Sequence, residues 1–183
     1  MYYYVPNGWP TPYAMMFGGT PLFGQFHYLH HGYMDSGQYV MADLGPNPLA
    51  VNINRAARNN RNFRTALWTG KHLQVTLMSI NPGEDIGLEI HRDLDQFLRV
   101  EQGRGVVLMG KNRYRPDYHM GVGKDSAIMV PAGTWHNVIN TGSEPLKLYS
   151  IYAPPEHPHG TVHATKKEAL EAEEDHRKKD AGL

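Results

Sequence analysis

Between residues 63 and 153 the apolar positions fall in short runs, several of them alternating with polar residues, and turn-forming clusters interrupt them every few residues. Period-two runs bounded by Gly, Pro and Asn predict β-strands rather than helices. The runs are Phe63–Trp68, Leu73–Ile80, Ile86–His91, Phe97–Glu101, Val106–Met109, Ala127–Val130, His136–Asn140 and Leu146–Ala153. Thr69-Gly70-Lys71, Asn81-Pro82-Gly83, Gly103-Arg104-Gly105, Pro131-Ala132-Gly133 and Thr141-Gly142-Ser143 supply the turns. Short strands at this spacing, with no long helix among them, predict an all-β sandwich or barrel.

The flanks read differently. Residues 1 to about 54 contain no Lys or Arg and only Asp35 and Asp43 as acids, and they are crowded with Tyr, Gly, Pro, Met and His. Such a stretch is too apolar for a charged disordered tail, so residues 1–62 are expected to form an arm that packs on the barrel or on a neighbouring subunit. A partly ordered low-complexity extension is the alternative. His27, His30 and His31 cluster within the arm without a recognisable ligand pattern. Ile53, Ala56 and Ala57 predict a short helix, and Arg55, Arg58, Arg61 and Arg64 recur every third residue as a solvated or ion-paired face. Residues 63–160 then form the barrel and 161–183 the tail. Thr165 and Glu168 have capping-box spacing, and Glu173→Arg177 and Glu174→Lys178 are favourable helical pairs. With only Ala169, Leu170 and Ala172 as its apolar residues, this helix is expected to dock lightly.

Composition narrows the function classes. With 18 basic and 18 acidic residues, no charge imbalance argues for nucleic acid or an acidic membrane surface. No apolar run approaches the ~18 residues of a transmembrane helix. The N-terminus lacks a charged and apolar leader pattern, so the expected compartment is the cytoplasm. The absence of cysteine removes disulfides, thiolate metal sites and cysteine nucleophiles. Its 11 histidines leave imidazole and carboxylate as the strong ligands, which suits zinc, manganese, iron, nickel or cobalt.

One constellation carries chemistry. In Ile86-Gly87-Leu88-Glu89-Ile90-His91, strand alternation puts Leu88 and Ile90 on one face and Glu89 and His91 together on the other. Gln96 follows on the next strand with Asp95 before it, and His136 opens a later strand behind a Pro-x-Gly turn. Other chemistry-bearing residues have blander readings. His157, His159 and His163 lie in a Pro-rich exit segment, placed to pack at the surface or to close the barrel mouth. Trp68, Trp135, Phe97 and Tyr149 are expected in the core. Lys111, Arg113 and Arg115 are expected in a solvent-facing loop, with contact to an anionic substrate as the alternative.

Residues 83–103 read Gly83-x5-Glu89-x-His91-x4-Gln96-x6-Gly103 and residues 131–140 read Pro131-x-Gly133-x2-His136-x3-Asn140. The first resembles the first cupin motif and the second resembles the second. Glu89 stands where the usual first histidine would be and Gln96 where the usual glutamate would be; Asp125 replaces the leading glycine of the second motif. The stretches Trp68-Thr69-Gly70, Asp95-Gln96-Phe97-Leu98, Pro131 to Asn137 and Tyr152-Ala153-Pro154-Pro155 resemble small bacterial cupins of the mannose-6-phosphate isomerase-like kind. The resemblance implies a double-stranded β-helix, or jelly-roll barrel, holding one divalent metal on Glu89, His91, Gln96 and His136. Zinc is the first expectation, with manganese, iron or nickel as alternatives. The usual cupin set carries a ligand charge of −1, and this set sums to the same value, so the charge that offsets desolvation of a dication is kept. The opposed reading is a retired site in which Glu89 and His91 only hydrogen-bond across the barrel.

Three functions follow from that resemblance. The first is isomerisation of a sugar or sugar phosphate, with the metal as Lewis acid and Glu89 or Asp95 moving the proton. The second is metal-dependent dioxygenase chemistry. The third is a non-enzymatic cupin within a larger assembly such as a spore or surface layer. The expected partners are a small molecule, with a carbohydrate as the candidate class, and further copies of the chain as a homodimer or larger homo-oligomer, without nucleic acid or membrane.

Overall fold

The computed structural model describes residues 43–180, with side chains as far as Asp175. The N-terminal arm up to residue 42, including His27, His30 and His31, lies outside the described residues. So do the side chains of Arg177 and Lys178.

Two antiparallel sheets face each other. We number the strands β1 (Arg64–Thr69), β2 (Gln74–Ile80), β3 (Glu89–Ile90), β4 (Asp95–Gln102), β5 (Arg104–Gly110), β6 (Tyr118–Gly123), β7 (Ala127–Val130), β8 (Trp135–Asn140), β9 (Leu146–Ala153) and β10 (Val162–His163). One sheet runs β10-β1-β2-β9-β4-β7 and the other β3-β8-β5-β6. The expected all-β double-stranded barrel is what forms. Alternation is cleanest on β4 and β8, where Gln96, Leu98 and Val100, and His136, Val138 and Asn140, turn inward. The main core cluster includes Met78, Ile80, Leu98, Val100, Val107, Val138, Leu146 and Leu148, and a smaller one joins Ala56 and Ala57 to Leu77.

The interior has two ends. The apolar cluster fills one. At the other the inward positions become polar: register pairs Gln96 with Tyr152 across β4 and β9, and Glu89 with His136 across β3 and β8. Two glycines hold the frame, one for space and one for backbone conformation. A Cβ at Gly105 would stand 2.4 Å from the Ile139 carbonyl oxygen, so β5 and β8 approach closely only with glycine there. Gly133 adopts a φ of 70°, closing the turn that delivers Trp135 and His136 into β8.

Several expectations are corrected. The strand expected over Ile86–His91 shortens to Glu89–Ile90, because Gly87 takes a φ of 95° and Asp85 Oδ1 accepts its N–H at 2.6 Å. β6 and β10 were not foreseen. β6 has four exposed residues in succession, so it lacks the alternation by which strands are recognised. Trp68, Trp135, Phe97 and Tyr149 are half-buried on the outside of the sheets rather than in the central core; Trp68 donates its indole N–H to the Asn47 carbonyl at 2.7 Å.

The short helix α1 (Ile53–Asn59) is present, with the Asn52 side chain accepting the Arg55 N–H at its start. Arg58 donates to Gln102 at 3.2 Å. Arg64 leaves the series: it opens β1 and is 1% exposed. The tail helix α2 (Lys166–Asp180) begins with the expected cap, Glu168 N–H donating to Thr165 Oγ1 at 3.2 Å. Among the described residues no helix is long and apolar enough to cross a membrane.

Candidate metal centre

Glu89, His91 and His136 meet at the polar end of the barrel. Each offers one ligand atom, and the three atoms lie within 4.8 Å of one another. His136 Nε2 is 3.1 Å from Glu89 Oε1, and His91 Nε2 is 3.5 Å from the same oxygen. Two donors about 2.1 Å from a common zinc stand roughly 3.4 Å apart at a tetrahedral angle, so the spacing is that of ligands around one small cation.

The outer hydrogen bonds orient these groups. His136 is fully buried, and its Nδ1 lies 3.0 Å from the Thr134 carbonyl oxygen. The ring is thereby held so that Nε2 is the nitrogen turned toward Glu89. His91 Nδ1 lies 3.2 Å from Glu156 Oε1, which orients the second ring in the same way. His91 Nε2 and Gln96 Oε1 are among the buried side-chain atoms without a hydrogen-bond partner. Gln96 Nε2 donates to Ser150 Oγ at 2.9 Å, which fixes the amide so that its oxygen is the free end. Gln96 sits beside Tyr152 in register, and the Tyr152 ring packs edge-on against His91 with centroids 5.6 Å apart. Orphaned buried acceptors are rare in folded proteins. An imidazole nitrogen and an amide oxygen left without partners are what a nitrogen- and oxygen-liganded divalent ion requires.

Asp95 is not brought to this cluster. Alternation turns it outward on β4, and its Oδ1 accepts the Ala132 N–H at 2.9 Å, bracing the turn before β8. Lys111 and Arg113 occupy an exposed loop, where Lys111 Nζ lies 3.4 Å from Thr134 Oγ1 and Arg113 stacks over Trp135 at 5.2 Å. His159 is tied to the Gly45 carbonyl at 3.0 Å. His157 packs edge-on against Tyr152, centroids 5.1 Å apart, while Gln74 holds its backbone from both sides.

Three groups near the centre were not singled out in the sequence as site residues: Arg64, Tyr152 and Glu156. Arg64 is completely buried, 4.0 Å from Glu89 Oε2 and 3.2 Å from Glu173 on α2. Its only sequence signal was membership of an arginine series that pointed to the surface. Register with Gln96 marks Tyr152 as inward-facing, but register is not visible in a sequence.

Burial alone would raise the Glu89 carboxyl and lower the His91 imidazole. The His136 and His91 rings beside it and the charge of Arg64 reverse the first, holding Glu89 well below the usual carboxylate range. Glu156 and Glu89 reverse the second, holding His91 up at about 9. Burial, then the charge of Arg64, pushes His157 down to about 2, so it stays neutral. These shifts set the pH dependence of the metal-free protein. A raised folded pKa makes His91 stabilising below about 6.5, and that contribution is lost as pH rises toward 9. A lowered folded pKa makes His157 destabilising as pH falls below about 6.5, because the unfolded chain then binds the extra proton. Chelator-treated protein is therefore expected to have its highest melting temperature near pH 6.5 and to lose stability on both sides. Replacing His91 by Gln is expected to flatten the alkaline limb, which a melting series in matched ionic strength checks.

The model for the family described as Cupin domain matches residues 76–152. An uncharacterized protein of Bacillus subtilis (strain 168) is 67% identical over 135 residues, which cover 74% of this chain and 73% of that protein. A crystal structure of a Bacillus halodurans protein is 65% identical and superimposes with a TM-score of 0.71, covering 71% of this chain and 98% of that one. An uncharacterized Klebsiella pneumoniae protein with a double-stranded β-helix domain shares the fold at 16% identity and a TM-score of 0.50, covering 65% of this chain and all of that one. These likenesses agree with the facing antiparallel sheets and the inward Glu/His/His cluster, and the chain belongs to the cupin superfamily.

Proposed function

We propose that the chain is a metal-dependent enzyme holding one divalent cation, zinc in the first instance, on Glu89, His91, His136 and Gln96, and isomerising a small sugar or sugar phosphate. The observation that carries the reading is the convergence of Glu89, His91 and His136 beside the unpartnered buried oxygen Gln96 Oε1. Two imidazoles, one carboxylate and one amide suit zinc, iron or manganese, and they exclude a soft-metal site. When bound, the ion supplies Lewis-acid polarisation of a substrate oxygen.

The chain's own groups divide the remaining work. Glu89 is committed to the two imidazoles and Arg64, and Asp95 faces outward, so neither is free to carry a proton. Glu156 is a carboxylate at the edge of the cluster, 36% exposed, and we assign it the proton transfer of the isomerisation. Tyr152, whose phenol burial pushes up to about 12, keeps its proton and presents a hydroxyl without a hydrogen-bond partner. It is suited to donate to a substrate oxygen. His157, held neutral, contributes an uncharged wall against the Tyr152 ring.

The test is a panel of aldoses, ketoses and their phosphates followed by nuclear magnetic resonance in deuterated water, using zinc- and manganese-loaded protein. The reading predicts interconversion with deuterium uptake at the carbon next to the carbonyl, reduced at least ~100-fold in Glu156→Gln, within the range typical of general acid–base catalysis. Metal-loaded protein that turns over no member of the panel would overturn the isomerase reading while leaving the metal centre standing.

A further inference from the structure

Buried charge behind the metal centre is arranged in a line that leads out to the tail helix. Arg64, 1% exposed, stands between Glu89 Oε2 at 4.0 Å and Glu173 Oε1 at 3.2 Å. Its one hydrogen bond among the described residues goes to Glu173, and its Nε has no partner. The same helix reaches the Glu89 segment from the other side, because Lys166 Nζ is 2.9 Å from Asp85 Oδ1, in the loop that leads into β3. Lys166, Ala169 and Glu173 are three, four and seven residues apart, so they share one helical face. Ala169 on that face is 2% exposed and belongs to the barrel core. A helix expected to dock lightly therefore sets Ala169 into the core between two half-buried charges, Lys166 on Asp85 and Glu173 on Arg64.

A buried guanidinium needs a counter-charge. Two carboxylates are within its reach, and one of them is a metal ligand. Whatever share of Arg64 is satisfied by Glu173 is not drawn from Glu89. We propose that Glu173 and Arg64 are positioning residues of the metal centre: Glu173 holds the guanidinium toward the tail helix, which leaves the Glu89 carboxylate to the ion. The proposal rests on the metal reading above and adds to it a dependence on the C-terminal helix.

The two residues are predicted to act with opposite sign. In Glu173→Gln, Glu89 becomes the sole carboxylate partner of Arg64 and competes with the ion for it, so zinc affinity is expected to fall roughly tenfold, the usual cost of losing an outer-shell partner. In Arg64→Met the competing cation is gone, and zinc affinity is expected to equal or exceed that of the wild type. Adding Glu173→Gln to Arg64→Met is then expected to change affinity less than about twofold, since Glu173 is partly exposed and its direct field is screened.

The experiment is zinc titration of full-length wild type, both single variants and the double variant against a chromophoric chelator, with circular dichroism confirming the fold and Arg64→Gln as a second neutral variant. Wild-type affinity in Glu173→Gln overturns the proposal. So does an equal loss in both backgrounds, because a helix that merely stabilises the barrel ignores Arg64. Wild-type protein that takes up no zinc, or other divalent metal, overturns the metal reading itself, an outcome separate from either of these.

Discussion

Replacing His136 by Ala is expected to lower divalent-metal affinity by more than ~100-fold, beyond the 10–100-fold that outer-shell changes typically cost. The imidazole is completely buried, its Nδ1 is fixed on the Thr134 carbonyl at 3.0 Å and its Nε2 lies 3.1 Å from Glu89. Alanine removes a donor that is already oriented. His159→Ala is the matching control: that ring is 56% exposed and contacts Asp43 and Gly45, away from the cluster, so affinity is expected to be unchanged. Chelator competition on both variants measures the difference. Equal affinities would show that the ion, if bound, uses other ligands.

The second large effect is structural. Leu98→Ala is expected to destabilise the chelator-treated protein by about 2–5 kcal/mol, the range found when a large core side chain is truncated and the site cannot collapse. Leu98 is 0% exposed within the central cluster, on the strand that also carries Gln96 two residues earlier. Rigid sheet pairing to β7 on one side and β9 on the other limits relaxation. Met129→Ala, on the outer face at 65% exposure, is expected to stay within about 0.5 kcal/mol. Urea unfolding reads both, and a comparable loss at the two positions would contradict the assigned core.

How much of this was legible in the sequence follows from what each feature depends on. Period-two burial and turn residues are local, so β7, β8 and β9 could be placed to within a residue. The two-motif spacing likewise announced Glu89, His91 and His136, because strand alternation makes side-chain direction a local property. β3 was over-long because one glycine, Gly87, turned the chain where the apolar pattern continued. β6 was invisible because both faces of it are mostly exposed. Arg64 is the instructive failure. Arginine is ordinarily a surface residue, and only the meeting of β1, β3 and α2, elements far apart in the chain, makes a buried site with carboxylates on two sides. Glu156 was hidden for the same reason: its partner His91 lies 65 positions earlier (156 less 91) and on another loop. Asp95 shows the converse. Alternation alone turned it away from Gln96, and the structure gives it the Ala132 N–H rather than a place in the cluster.

The central claim is that the Glu89, His91 and His136 cluster is a metal centre, and metal content tests it most directly. Inductively coupled plasma mass spectrometry on protein purified without a histidine tag, before and after incubation with zinc or manganese, is expected to give close to one divalent ion per chain. Glu89→Gln and His136→Ala are expected to leave far less than one. A wild-type chain that stays metal-free after incubation, or variants that bind as much metal as the wild type, would contradict the account.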